Sequence, residues 1–508
     1  MKKTLLALGL LTSLPLAAAD VNIAYAADFT SLDPMERLSD RNLQMAHLLF
    51  DPLLRRDHEG QLVPRLAEKW TKLNDTTYRF ELHKNVKFHS GNPFTADDVV
   101  WSFNRSKTSP EYAPLFSHFD KFVKIDDHTV ELRLKDKDPL ALMVLPNLFI
   151  MDSKFYEGSA DRGKIDPSGD NFADTNVSGT GPFSLESRQR ERRTVLKKNP
   201  SYWTSSGNVD TLTINIEKDD ELRLNNFLSG KVDYVTPVSP KNIDRVQKSD
   251  NRTVLIAPSE KIIMLQLNQQ VTPQFQDKRV RQAINLTINR RDIGRRVLAK
   301  LGTPADQLSP AGYLGHLDNH EPAYDLARAK ALMAEAKLAE GFETKLIAPR
   351  GYYVYDDLIA QGIATQLKNI NIRVETEVMP ASDFWPRFER CDAGMAFIGW
   401  VSDTGDSANL SEYLTATRDR AAGRGVMNCG GFSNRTIDEA LRAVATEDDP
   451  AKRRELLQRI AQTETDEALI IPLHWQNLSY GYPKSWSNFV SITHHHDYPY
   501  FGDLVIKE

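Results

Sequence analysis

The sequence predicts an α/β protein of more than one domain, and three observations support this. Its 508 residues exceed what one hydrophobic core usually serves. A predicted strand at 345–348 and an alternating strand at 372–378 flank a helical pattern at 356–369, which predicts a strand–helix–strand unit and a partly parallel sheet. A short apolar run at 393–400 predicts a strand buried on both faces, as such a sheet requires.

The N-terminus has the pattern of a secretory signal peptide. Lys2 and Lys3 precede an apolar stretch at 5–16, and small residues at 17–19 predict cleavage after Ala19. The apolar stretch is too short to span a bilayer. No cysteine follows the small residues, so we expect a soluble exported protein without a lipid anchor at its new N-terminus.

The remaining elements follow from hydrophobic period and turn residues. Alternation predicts strands at 21–26, 76–82, 212–216 and 262–268, and a hairpin signal predicts strands at 122–125 and 129–134. Further strands are predicted at 232–235 and 469–475 and from Phe183 onward. Helical spacing predicts helices at 42–50, 219–228, 277–288 and 324–338, a helical turn at 66–70, and helices after the N-caps Thr95 and Asp449. We expect the segments up to about residue 156 to form a small α+β unit and 157–176 to be an exposed polar excursion.

The segment 392–409, DAGMAFIGWVSDTGDSAN, is the strongest candidate for a ligand contact. Ligands of open α/β sheets bind beyond the carboxyl ends of the strands, where Trp400 and Asp403 would project. An aromatic ring and a carboxylate three residues apart form a candidate ligand grip. The alternatives are a core aromatic for Trp400, and an Asx-turn or helix cap for Asp403.

Charge and motifs exclude several classes of function. The 64 Lys and Arg residues, less Lys2 and Lys3, stand against 69 Asp and Glu, so the mature chain carries about −7 and lacks the basic footprint of a nucleic-acid binder. No nucleophile elbow, zinc-protease helix, Cys-x-x-Cys or phosphate loop occurs. We therefore expect no enzyme activity and no cofactor.

Two features leave alternatives open. His494, His495 and His496 precede Asp497 and have metal-binding chemistry, but consecutive strand residues point to opposite faces, which favours a plain polar strand. Cys391 and Cys429 either form one disulfide in an oxidising compartment or remain separate buried thiols, and their spacing does not decide between the two.

The chain resembles the large periplasmic solute-binding proteins that serve ABC importers of dipeptides, oligopeptides, nickel chelates and related solutes. Matching segments are SLDP at 31–34, LAEKW at 66–70, TYRFELHKNVKFHSGNPFTADDVVWSFNR at 77–105, GTGPF at 179–183, NPSYW at 199–203, VRQAINLTINRRDI at 280–293, AYDLARAKALMAEA at 323–336 and GWVSDTGD at 399–406. They extend almost from end to end and specify the family far better than the ligand.

The resemblance implies a two-lobed type II periplasmic-binding-protein fold with an accessory domain. Lobe I would comprise 20–52, 175–258 and 474–508, with 53–174 as its accessory domain and 259–473 as lobe II. It further implies a non-enzymatic monomer in the periplasm, which takes a small, peptide-like solute and delivers it to permease subunits in the inner membrane.

The resemblance also implies site residues. Asp403 stands where peptide binders place the carboxylate that pairs with the ligand α-ammonium, and Trp400 lies on the cleft side of the same strand end. The other expected ligand-binding residues are Gly399, Val401, Ser402, Arg350, Tyr352 and Asp357.

One departure from the dipeptide pattern concerns the other end of the ligand. Asp357, or Leu358, falls near the arginine that dipeptide binders use for the ligand carboxylate. An anionic side chain cannot bind a carboxylate. Arg350 is a possible substitute, although relatives carry its equivalent beside the usual arginine. The hypothesis is that the ligand is not an ordinary free dipeptide but a longer peptide, a cationic peptide or a non-peptide amine.

Two other functions are alternatives to peptide capture. The same fold could bind a metal chelate, with His474 or residues 494–496 contributing. A secreted hydrolase is disfavoured because it would need a nucleophile and a base in one cleft, and no motif supports them.

Overall fold

The computed structural model describes residues 19–158, 162–165, 171–318, 320–321, 323–402, 404–419, 423–494 and 498–507. Its strands are β1 Ala19–Tyr25, β2 Leu54–Arg56, β3 Leu62–Pro64, β4 Ala67–Asn74, β5 Thr77–Leu82, β6 Phe119–Asp126, β7 Thr129–Leu134, β8 Phe183–Gln189, β9 Arg193–Lys198, β10 Val209–Ile216, β11 Tyr234–Thr236, β12 Arg252–Ala257, β13 Ile262–Leu267, β14 Gly302–Pro304, β15 Phe342–Pro349, β16 Ile372–Met379, β17 Met395–Trp400, β18 Ile470–Gln476, β19 Leu478–Pro483, β20 Thr493–His494 and β21 Tyr498–Pro499.

The α-helices are α1 Asp40–Leu49, α2 Ala96–Ser106, α3 Tyr112–Leu115, α4 Ser153–Tyr156, α5 Asp220–Leu228, α6 Ile243–Gln247, α7 Lys278–Thr287, α8 Arg290–Arg296, α9 Leu326–Glu335, α10 Asp356–Leu367, α11 Ala381–Arg390, α12 Ser407–Leu414, α13 Arg435–Val444 and α14 Pro450–Glu467. A 3₁₀ helix, Ala141–Asn147, precedes α4. No helix within the described ranges is both long and apolar enough to cross a bilayer.

A mixed seven-stranded sheet forms the first large layer, which we call lobe I. Its order is β12-β19-β11-β1-β10-β9-β8. Strand β1 is parallel to both β10 and β11, and the other pairs are antiparallel. The buried core beneath it continues into the four-stranded sheet described below.

A mixed six-stranded sheet forms the second layer, lobe II, in the order β14-β18-β13-β17-β15-β16. The predicted strand–helix–strand unit is confirmed, because β15 and β16 are parallel and α10 lies between them in the chain. Strand β17 is also confirmed as an inner strand, antiparallel to β13 and parallel to β15. Its first four residues are buried because helices cover both faces of the sheet.

An antiparallel four-stranded sheet, β4-β5-β7-β6, forms the accessory unit with α2. The predicted cap of α2 is present as a capping box between Thr95 and Asp98. The helical turn predicted at 66–70 is wrong, because that segment enters the edge strand β4. Hydrogen bonding of β4 to β5 outweighs a weak local helix preference.

The chain crosses twice between the neighbouring strands β12 and β19 at one edge of lobe I and the neighbouring inner strands β13 and β18 of lobe II. Residues 258–261 join β12 to β13, and Asn477 joins β18 to β19. Two short crossing segments are a suitable hinge for two lobes. The residue boundaries proposed for the domains stay a prediction.

The two cysteines form a disulfide, with Cα atoms 5.1 Å apart. Cys391 ends α11 just before β17, and Cys429 lies after α12. The covalent link therefore closes a loop that contains the whole ligand-grip candidate.

Candidate ligand-binding cleft

A cavity of about 180 Å³ lies between the two lobes. Its described lining residues are Leu38, Asp40, Leu43, Arg56, Pro146, Asn147, Val401, Ser402, Tyr498 and Tyr500. Val401 and Ser402 follow β17 of lobe II, whereas the others pack on the lobe I side. The cavity is therefore built from both halves of the molecule.

Asp40 and Arg56 are the charged residues of the lobe I wall. Asp40 is the first residue of α1, and its carboxylate lies 3.0 Å from Lys261 Nζ in the crossing segment. In β2, Leu54 and Arg56 are buried while the intervening Arg55 is partly exposed, so strand alternation directs Arg56 inward. The Arg56 guanidinium donates to Met143 O at 2.9 Å and, more weakly, to Gly60 O at 3.4 Å.

Two tyrosines complete this wall. The Tyr500 hydroxyl donates to Arg56 O at 3.2 Å. Burial raises the pKa of Tyr500 to about 12 and also raises the pKa of Tyr498 well above its usual value, so both remain neutral hydroxyl groups. Burial lowers the pKa of Arg56, a residue that stays cationic under ordinary conditions.

The lobe II wall is a loop folded back on the Ser402 hydroxyl. Ser402 Oγ donates to Asp406 O at 2.8 Å and accepts from Asp406 N at 3.1 Å. The Asp406 carboxylate accepts from Ala408 N at 2.8 Å, which caps α12, and from Arg453 Nε at 3.0 Å. Asp403 belongs to this loop in sequence but lies outside the described residues.

Trp400 and Gly399 form the end of β17 beside the cavity. Trp400 is half-buried, its ring centroid lies 5.5 Å from that of Tyr413, and its indole N–H has no acceptor among the described residues. The Tyr353 hydroxyl accepts from Gly399 N at 2.8 Å, and a Cβ on Gly399 would stand 2.7 Å from the Tyr353 ring. Glycine is required there because the two groups pack so closely.

Gly399 and Trp400 are not among the described lining residues, and three further residues expected to bind ligand lie apart from the cavity. Arg350 is exposed and donates to Val378 O at 2.9 Å. Tyr352 is 54% exposed, with its ring against Trp385. Asp357 is half-buried in the first turn of α10 and accepts from Leu358 N at 2.8 Å. A ligand role for these three residues, as for Trp400, Gly399, Val401, Ser402 and Asp403, stays a prediction.

The histidines considered for metal binding show no such site in the described ranges. His474 is 1% exposed and does not line the cavity, and burial lowers its pKa to about 3. No group of three or more His, Cys, Asp or Glu side chains is placed to hold a metal within the residues that the structure describes. His495, His496 and Asp497 fall outside them, as does the side chain of His494.

Sequence reasoning missed Asp40, Arg56, Tyr498 and Tyr500. A signal for Arg56 was present, since two consecutive arginines directly after Leu53 and Leu54 place one guanidinium on the apolar side of any strand. No sequence signal predicted Tyr498 and Tyr500, because their position depends on the return of the chain terminus to lobe I.

A solute-sized cavity between two α/β lobes joined by two crossing segments is the architecture of a cleft-type solute-binding protein. Residues 61–421 match the family model described as bacterial extracellular solute-binding proteins, family 5 Middle, so the chain belongs to this family. The resemblance drawn from sequence is confirmed, and so is the type II fold. Family members are substrate-binding transport proteins of the ABC importer type.

Two curated relatives cover most of the chain. It is 26% identical to the dipeptide-binding protein of Escherichia coli K12 over 435 residues, which are 80% of either chain. It is 25% identical to the glutathione-binding protein GsiB of Shigella dysenteriae over 503 residues, covering 96% of this chain and 95% of that one.

Solved structures share the fold. DppA of Helicobacter pylori in complex with the peptide STSA superimposes with a TM-score of 0.82 at 22% identity, covering 96% of this chain and 98% of that one. AgaA of A. tumefaciens R10 in complex with agropinic acid gives 0.79 at 22% identity, covering 96% and 99%.

Proposed function

We propose that this protein captures a small peptide-like solute in the cleft and delivers it to the membrane permease of an ABC importer. The observation that carries the proposal is the cavity between the lobes, with Asp40 and Arg56 on one wall and Val401 and Ser402 on the other. The named ligands of the two curated relatives, a dipeptide and glutathione, agree with a solute of this kind.

The chemistry of the walls favours a small polar solute. A carboxylate, a guanidinium and two neutral phenols line one cavity, which suits a molecule that carries both charges. The cavity volume of about 180 Å³ is below the ~300–1,000 Å³ of drug-sized sites. We therefore favour a solute of about dipeptide or tripeptide size over a long peptide.

Capture would proceed by closure of the lobes about the crossing segments 258–261 and Asn477. The halves are bridged by the ion pair of Lys261 with Asp40 at 3.0 Å and by that of Lys137 in the accessory unit with Asp448 of lobe II at 2.9 Å. A solute that contacts both walls binds the closed form preferentially and shifts the population toward it.

The proposal includes export and the absence of catalysis. Residues 1–19 would direct secretion to the periplasm and be removed after Ala19, and the mature chain would act as a monomer without cofactor. Edman sequencing of protein recovered from the periplasmic fraction should begin at Asp20. An N-terminus at Met1 would contradict export by this route.

Solute identity is tested by mass spectrometry of compounds released from the purified protein, together with thermal-shift titration. The panel is dialanine, trialanine, glutathione and nickel–histidine. We expect a peptide to co-purify and members of the peptide series to raise Tm. Stabilisation by nickel–histidine alone, with no peptide recovered, would overturn the peptide assignment.

Asp403→Asn tests the ligand grip inferred from the family segment. Losing one partner of a desolvated charge pair costs about 2–5 kcal/mol of binding free energy, so peptide affinity measured by calorimetry should fall steeply while affinity for N-acetylated peptides, already weak, changes little. Asp210→Asn, an exposed site on β10, is the matched control. Unchanged affinity in Asp403→Asn would remove this residue from the site.

A further inference from the structure

Arg56 is a buried cation without a carboxylate partner in the described part of the chain. The residue is only 6% exposed, and its guanidinium forms two hydrogen bonds, both to backbone carbonyls. A guanidinium has five N–H donors, and its burial without an opposing charge is costly.

Other buried arginines satisfy this requirement within the protein. Arg105 pairs with Asp33, its Nη2 lying 2.5 Å from the carboxylate, and also donates to the carbonyls of Gly163 and Lys164. Arg290 has no carboxylate partner in the described ranges but donates to the carbonyls of Pro472, Asn285 and Ile288 and to the Asn285 side chain. Among the described residues, Arg56 has neither a carboxylate partner, as Arg105 does, nor the larger set of acceptors that surrounds Arg290.

The Arg56 guanidinium lies where both walls of the cleft meet. Its Nη1 would stand 3.1 Å from a Cβ on Gly405, so it reaches the lobe II loop. Glu260 raises the pKa of Arg56 through space against the larger effect of burial, and its carboxylate accepts the Tyr313 hydroxyl at 2.7 Å. Because Arg56 also lines the cavity, a bound anion would be within reach.

We propose that Arg56 recognises a carboxylate of the solute, so that the transported class is small free acids, including ordinary dipeptides and tripeptides. The inference rests on the proposed function and deepens it. A carboxylate matches the planar fork of arginine through two parallel hydrogen bonds and would supply the missing counter-charge. Arg56 would thus provide from lobe I the contact that the sequence lacks near Asp357, and the hypothesis that ordinary free dipeptides are excluded would no longer hold.

The test compares free acids with their amides on the full mature protein after removal of co-purified solute. Dialanine and trialanine, and the C-terminal amide of each, are titrated by calorimetry. We expect each acid to bind at least about 30-fold more tightly than its amide. Arg56→Gln should reduce acid binding to the level of the amide, and Arg56→Lys should fall between because an ammonium lacks the fork.

Arg193→Gln, at an exposed position on β9, is the matched control and should keep the wild-type ratio. Equal binding of acids and amides by the wild type would overturn the carboxylate assignment while leaving peptide capture intact. The carboxylate assignment would also be overturned if Arg56→Gln kept the preference for acids, or if the co-purified solute had no carboxylate.

If no panel member binds and no solute co-purifies, the proposed function and this inference both fail. If Arg56→Gln does not fold, as judged by circular dichroism, the wild-type ratio and Arg56→Lys decide the matter.

Discussion

Two buried arginines on opposite sides of the cleft differ in how their charge is balanced. Arg453 of lobe II pairs with Asp406, each side chain being 7% exposed, and donates to the carbonyls of Val444 and Glu447. Arg56 of lobe I has two carbonyl partners and no described carboxylate. One arginine is satisfied by the fold, and the other has donors available for a solute.

The difference indicates a division of roles between the walls. Asp406 and Arg453 hold the lobe II loop in place through internal contacts, so removing those contacts should mainly reduce the free energy of unfolding. The lobe I wall retains an unbalanced charge, so changes there should mainly reduce solute affinity. The following variants test this division.

Arg453→Leu should produce the largest loss of stability. It leaves the Asp406 carboxylate buried and unpaired, which typically costs about 3–5 kcal/mol. Urea unfolding followed by circular dichroism measures the change. Arg454→Leu, the exposed neighbour on α14, should have little effect. Equal stability of the two variants would refute a structural role for the Arg453–Asp406 pair.

The double variant Cys391→Ser with Cys429→Ser, which removes the disulfide, should show the next largest loss of stability. The two residues are 38 positions apart, and loop-closure entropy for a loop of this length predicts a loss of up to about 4 kcal/mol. Reduction of the wild type with dithiothreitol should lower its Tm to that of the double variant. The Tm of the double variant itself should not change on reduction. A Tm shift of the double variant on reduction would show that the reductant acts elsewhere.

Glu464 beneath α12 should make lobe II sensitive to pH. Burial raises the pKa of its carboxyl to about 7, against hydrogen bonds from Thr415 and Ser411 that lower it. Because the folded pKa exceeds the unfolded value of 4.5, this stabilisation is complete below about pH 4.5 and is lost as pH rises through 7, by up to about 3 kcal/mol.

Glu464→Gln should therefore flatten the fall in stability between pH 5 and 8, measured by thermal unfolding in matched buffers. Glu455→Gln, exposed on the same helix, should keep the wild-type slope. An unchanged slope in Glu464→Gln would assign the pH dependence to other groups.

Lys137→Met should have the smallest effect, on affinity rather than stability. It removes the partly exposed ion pair to Asp448 that links the accessory unit to lobe II. Exposed pairs contribute little and are screened by salt. We expect a reduction in peptide affinity of at most a few-fold that disappears at 1 M NaCl, with exposed Lys84→Met unchanged. A large, salt-independent loss would mean that Lys137 acts in another way.

Local sequence patterns predicted the elements well where one period dominates. The alternation in 372–378 and the N-cap before Pro450 correspond to β16 and α14. The prediction of a helical turn at 66–70 was wrong because the strand partner of this segment, β5, is only recognised once the sheet is assembled. The disulfide could not be decided for the same reason, since sequence spacing contains no Cα–Cα distance.

The sequence by itself determined the family and the α/β class, and it pointed to the segment after β17 as part of the cleft. Long ordered motifs and hydrophobic periods are properties of the chain, so they can be read without the fold. Only the tertiary structure decided which residues share the cavity: α1, β2, the 3₁₀ helix and the terminal strand β21 meet the lobe II loop across large sequence separations. It also distinguished Arg56 from Arg453, because the balance of a buried charge depends on what surrounds it in space.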